Sequence, residues 1–288
     1  MERTGFGSIL IAGLALRAAV IAFTAGTSDL WLWNTFAAAL DQYGLAAYAH
    51  VARLNHPPLG AFLVWALYKL GPLGITLRAS QALADVGAAL FIYEIAKRLN
   101  VAPRFAAALY FLSPVAILTS CFFCNTDSVL VALIAAAVLM LISRRYALAG
   151  ALLACACGIK IVPVLAFPLF FLGAGEGRLR FTAAFTILSS LIFLPVLAYA
   201  PASFIHNVVG YRGSGEMWGL ALPATIGGAA ATVLGFTRLR ALLYQLGDVY
   251  IGITRYCVLA IVALVTWIGR NVDEIHFPAA LTLLLLGA

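Results

Sequence analysis

A carboxylate directly after a long apolar run can take a proton from a hydroxyl, and Asp29 in Thr27-Ser28-Asp29 is of that type. The same residue, or Ser28 before it, can cap a helix continuing through Leu40. Taken alone, the cap is the plainer reading. Asp41 is the rival carboxylate, on a stretch that reads as solvated. Arg78 and Asp85 lie seven residues apart, roughly two helical turns, so they share a face. An Arg at a helix mouth can grip a phosphate bidentately or can anchor its helix at the headgroups. Asp127, in Asn125-Thr126-Asp127-Ser128, suits a helix cap. Lys160 stands in an apolar setting beside a Pro163 break, where its ammonium can meet a phosphate or snorkel to the headgroups. Arg17 falls inside the first apolar run, and a buried guanidinium there needs a partner such as Asp85 or Glu94. Arg53 and His56 precede and enter the stretch Asn55-His56-Pro57-Pro58 and are candidates for binding substrate, as are Tyr211 and Arg212 in the polar segment from His206 to Gly213.

Other chemistries find less. His50, His56 and His206 have no spacing to carboxylates that would hold a metal, so no cofactor is expected and a divalent ion lacks support. Cys121 and Cys124 form one C-x-x-C, a weak metal signal without a second pair. No phosphate-binding glycine loop, dinucleotide fingerprint or nucleophile elbow occurs, which argues against a soluble nucleotide as direct substrate.

The elements that must position these residues are membrane helices. The chain is 64% hydrophobic and 10% charged, against about 45–50% and roughly 25% in a soluble domain. One core cannot hide that much apolar surface, whereas a bilayer needs no polar exterior. The net charge of +7 therefore reads as basic loops on the cytoplasmic side, not as a nucleic-acid surface. Apolar runs predict about nine or ten helices, near 7–26, 79–97, 105–122, 127–143, 147–160, 161–174, 181–200, 219–236, 250–268 and 276–288. The clusters Lys97-Arg98 with Arg104, Arg144-Arg145, Arg178 with Arg180, and Arg238 with Arg240 fall on alternate loops, so one face can hold them all. Asp29, Arg78, Asp127, Lys160 and the 201–218 loop then share the opposite, extracytoplasmic face. The 27–78 segment carries Trp31 and Trp33, which suit a headgroup interface. Its apolar stretch from Leu59 to Leu70 is too short to cross, and we read it as an external interfacial helix opened by the proline pair. No linker or repeat divides the chain. It reads as one transmembrane domain over 1–288 that stops inside an apolar run, Leu-Leu-Leu-Leu-Gly-Ala, as if truncated.

In this order the motifs resemble the GT-C superfamily of integral-membrane glycosyltransferases. The matching features are Arg17 followed by Ser28-Asp29, then Asn55-His56-Pro57-Pro58-Leu59, then Arg78 with Asp85. Leu112-Ser113-Pro114 leading to Asn125-Thr126-Asp127-Ser128, Lys160 with Pro163, and Gly210-Tyr211-Arg212-Gly213 before Trp218-Gly219 complete the set. The last element is similar to a loop of bacterial polyprenyl-phosphate-mannose enzymes.

The resemblance implies a GT-C bundle in the bacterial plasma membrane with its site facing the periplasm. It implies inverting transfer of a mannose-like hexose from a polyprenyl-phosphate sugar to a lipid or glycan hydroxyl. Asp29 would be the base, and Arg78, Lys160 and Arg212 would offset the leaving phosphate. Arg53, His56, Asp127 and Tyr211 would line the substrates. A secondary transporter or lipid flippase is the alternative; it predicts repeated halves and broken mid-membrane helices. A quinone-linked thiol enzyme would need a second, external cysteine pair.

Overall fold

Prolines open several helices of this chain. Pro58, Pro103, Pro114 and Pro201 each occupy a first helical turn, where a missing N–H costs nothing and the fixed φ already suits a helix. The computed structural model describes residues 2–211 and 221–269. All regular structure among them is helical. The chain divides into two units, Met1–Val209 and Gly210–Ala288.

The first unit runs α1 (Glu2–Phe23), α2 (Asp29–Tyr43), a short α3 (Ala47–His50), α4 (Pro58–Leu70), α5 (Leu73–Arg98), α6 (Pro103–Phe111), α7 (Pro114–Cys121), α8 (Asp127–Ile142) and α9 (Tyr146–Ile159). A 3-10 turn, Val162–Ala166, leads into α10 (Phe167–Gly173), followed by α11 (Arg178–Tyr199) and α12 (Pro201–Phe204). α8 packs between α5 and α9, and α9 packs on α11. The second unit pairs α13 (Ala221–Val233) with α14 (Thr237–Gly269).

Among the described residues, three helices are long and apolar enough to cross a bilayer: Gly5–Phe23, Leu73–Arg98 and Gly175–Tyr199. The α6–α7 pair, bent by 46°, is a fourth when taken together. α8 and α9, with 16 and 14 residues, reach only about 24 and 21 Å at 1.5 Å per residue, short of the roughly 30 Å hydrocarbon core. The chain is an all-α polytopic membrane protein, with fewer full-length crossings among the described residues than its apolar runs suggest.

The two ends of the first unit differ in character. Arg104 lies beside Gly5, Arg98 donates to the Ser143 hydroxyl, and Tyr146 covers Gly177. Those contacts gather the start of α1, the ends of α5 and α8, and the starts of α6, α9 and α11 into one basic end. The opposite end carries the starts of α2, α4, α5 and α8 and the ends of α7 and α9.

Three boundaries and the placement of one tryptophan depart from the sequence expectation. The helix expected over 105–122 breaks at Leu112-Ser113, because Pro114 has no N–H for the Tyr110 carbonyl and forces Ser113 to an extended ψ of 126°. α5 begins at Leu73, six residues before the expected 79, so Arg78 lies in its second turn and not at its mouth. The polar stretch 237–249, expected as a loop, is the start of α14; its arginines and leucines are good helix formers. Trp33 is buried and only Trp31, 68% exposed, suits a headgroup surface. The expected helix at 276–288 lies outside the described residues.

Candidate functional site

Asp29 is the first residue of α2, and its side chain is exposed. No hydrogen bond or ion pair engages it among the described residues, and Ser28 makes no side-chain cap. Its rival is occupied: Asp41 accepts from Trp65 Nε1 at 3.1 Å and pairs with Lys69 Nζ at 2.6 Å, tying α2 to α4. Those bonds hold the Asp41 carboxyl below its usual range.

Four residues after Asp29, on the same helical face, Trp33 donates from Nε1 to the Cys124 carbonyl at 2.9 Å. Thr27 donates to the Phe123 carbonyl at 3.2 Å. A Cβ at Gly26 would sit 2.9 Å from Cys124 Sγ. The start of α2 is thus fastened to the 122–126 turn. Asp127 follows that turn at the start of α8 and forms an ion pair with Lys160, at the end of α9. Both side chains are partly open to solvent, 32% and 25% exposed, so the pair stays accessible to a ligand.

His56 joins this cluster from the α4 side. Its ring lies 4.3 Å from the Trp33 ring, and its carbonyl accepts the Tyr48 hydroxyl at 2.6 Å. Burial and the nearby Lys160 charge pull its imidazole down to about 3, so it is neutral near pH 7. Its Nδ1 is buried without a hydrogen-bond partner. Glycine permits the approach of α4 to α9: a Cβ at Gly60 would lie 2.7 Å from the Ile159 carbonyl oxygen, and one at Gly158 would lie 2.9 Å from Leu59 Cβ.

The two buried arginines do other work. Arg17 is fully buried and pairs through Nε with Asp85 Oδ2 at 2.9 Å, so of its two expected partners Asp85 is the one used. Tyr110 donates to Asp85 Oδ1 at 2.6 Å. Arg78, 2% exposed, donates to the carbonyls of Val20, Ile21, Thr24, Gly74 and Cys121 and to the Thr24 hydroxyl. A guanidinium has five N–H donors, and here all are engaged. The expectation of Arg78 gripping a phosphate at an open mouth therefore meets a side chain that caps the ends of α1 and α7, where a cation is favoured by the helix dipole.

The remaining candidates are scattered. Arg53 is exposed in the turn before His56. Tyr211 is 56% exposed and belongs to the second unit, and Arg212 lies outside the described residues. Cys121 and Cys124 are buried free thiols. Sequence reasoning placed Trp33 at the headgroups and missed Tyr110. Trp33 is signalled by its spacing from Asp29; nothing in the sequence marks Tyr110. Among the described residues no three His, Cys, Asp or Glu side chains converge as a metal site.

Residues 54–288 match the family model for glycosyltransferase family 87. Arg53, His56, Arg78, Asp127 and Lys160 bracket or fall within that stretch: Arg53 just precedes it, as do Arg17 and Asp29 at greater distance, and the others lie inside. No curated protein matches the chain.

Proposed function

The chain belongs to glycosyltransferase family 87, and we propose that it moves a mannose-like hexose from a polyprenyl-phosphate sugar to a lipid or glycan hydroxyl, with inversion. The observation that carries this reading is the meeting, at one end of a membrane bundle, of an unengaged carboxylate, Asp29, with the accessible Asp127–Lys160 pair and a neutral His56. In this reading the acceptor oxygen forms a bond to the anomeric carbon as Asp29 takes its proton. The bond from that carbon to the phosphate oxygen breaks, and its electron pair leaves with polyprenyl phosphate. Lys160 offsets the growing phosphate charge by direct contact, exchanging Asp127 for the phosphate. Arg78 adds its positive field from beneath the site. Arg53 and His56 are assigned to the sugar and acceptor.

A lipid-linked donor suits a site built where membrane helices end, since the tail can stay among them. No metal is required, because phosphate is a good leaving group once cations meet it. We assign the site to the periplasmic face of a bacterial plasma membrane, opposite the basic end, as the positive-inside rule demands. The test is transfer of labelled hexose in membranes holding this chain, offered either polyprenyl-phosphate sugars or nucleotide sugars. The proposal expects product from the former only, with the anomeric configuration inverted. Product from nucleotide sugars alone, or retained configuration, overturns it.

A further inference from the structure

The α6–α7 break creates a problem that one residue solves. Bending at Leu112-Ser113 removes the α-helical donor from the Phe111 carbonyl, because its partner four residues on lies beyond the bend. Arg17 supplies the donor: its Nη1 reaches the Phe111 oxygen at 2.8 Å and its own Gly13 carbonyl at 3.2 Å. The guanidinium also lies 4.2 Å over the Phe111 ring. α1 comes this close because Gly13 has no side chain; a Cβ there would be 2.3 Å from that ring. Asp85 and Tyr110 complete the network and fix the guanidinium from α5 and α6.

What lies beyond the bend is the candidate site. α7 ends at Cys121, whose carbonyl Arg78 holds. The amides of Phe122 and Phe123 donate to the Leu118 carbonyl, and Asn125 donates to that of Thr119. The turn to Asp127 therefore hangs on α7, whose end Arg78 holds and which departs from the last residue of α6, held by Arg17.

We propose that Arg17 is a positioning residue for sugar transfer: by holding the Phe111 carbonyl at the α6–α7 break it aims α7, and with it the 122–126 turn that receives Trp33 and leads to Asp127. Neutralising Asp85 is the lesser part of its task. A misplacement of about 1 Å at a reacting group costs on the order of 100-fold in rate, so a side chain far from the chemistry can govern it.

The two parts separate in an apolar triple variant, Arg17→Met with Asp85→Leu and Tyr110→Phe. It removes every charge and hydroxyl of the network, a replacement that buried ion pairs commonly tolerate, yet leaves the Phe111 carbonyl without a donor. Two readouts are taken on the detergent-purified full chain. In hydrogen exchange, the triple should melt like the parent while amides over 115–127 exchange about ten-fold faster and those of α8 and α9 do not change. In transfer, kcat should fall by on the order of 100-fold with acceptor KM nearly kept. Parental exchange over 115–127, exchange raised evenly along the chain, or parental kcat despite local loosening would each overturn the proposal. If the triple does not fold, Arg17→Lys decides. It keeps the charge opposite Asp85 but lacks the fork that reaches Phe111 at the same time, so faster exchange confined to 115–127 supports the proposal and parental exchange overturns it. The transfer readout rests on the donor assigned above. If the parent transfers from no lipid-linked donor, that assignment fails, and the exchange readout still decides the role of Arg17.

Discussion

At the scale of single residues, the two carboxylates that look interchangeable in the sequence differ by what they touch. Asp41 is engaged by Lys69 and Trp65, whereas Asp29 has an open side chain at a helix start. The account expects Asp41→Asn to leave transfer close to parental and Lys160→Ala to lower kcat/KM for the donor by roughly 100-fold, both measured by initial rates. His56 gives a pH signature. Its imidazole is held neutral in the folded chain, down to about 3, against 6.5 when free. Between those values the unfolded chain binds the extra proton, so this residue's stabilising share is whole above about 6.5 and drains away as pH falls toward 3. His56→Asn should flatten the melting temperature over that window. A slope unchanged by the substitution would show that other groups cause it. The charges at this site were readable from residue type and position near helix ends. Arg78 was not, because its burial depends on where α5 begins, and a start at Leu73 instead of 79 moves it from a mouth to an interior.

At the scale of elements, the site depends on close crossings that glycine permits. Gly60 and Gly158 let α4 lie on the last turn of α9, which brings His56 toward Lys160. Gly60→Val places a side chain within 2.7 Å of the Ile159 carbonyl at its first atom and should cost about 1–3 kcal/mol by overpacking, with a matching loss of donor affinity. A melting curve and a donor KM check it; parental values in both would refute the crossing. The buried ion pair makes a separate demand. Asp85→Ala strands the Arg17 charge and should destabilise by roughly 3–5 kcal/mol, read by denaturant unfolding in micelles. Helices and their prolines were legible from apolar runs because length and ring geometry act locally. The break at Leu112-Ser113 could have been read from Pro114, but the long apolar run around it hides the signal. The docking of α2 on the 122–126 turn is a pairing across distant sequence, and no periodicity encodes it.

At the scale of the whole molecule, the first unit has a basic end and a site end, and they should face opposite sides of the membrane. A cysteine replacing exposed Ser28 should react with a membrane-impermeant maleimide added outside intact cells, and one replacing exposed Lys97 should react only after lysis. Labelling of both from outside would contradict the two-ended arrangement. A broken helix is also a transporter's feature, but membership of glycosyltransferase family 87 makes transfer the activity to explain. The most direct measurement is the transfer rate of labelled hexose from polyprenyl-phosphate donors by Asp29→Asn beside the parent chain, at equal expression. The account predicts parental transfer and a loss of at least about 100-fold in the variant, the scale of a missing general base. Parental rates in Asp29→Asn would contradict it and move the base to another carboxylate, with Asp127 the next to replace.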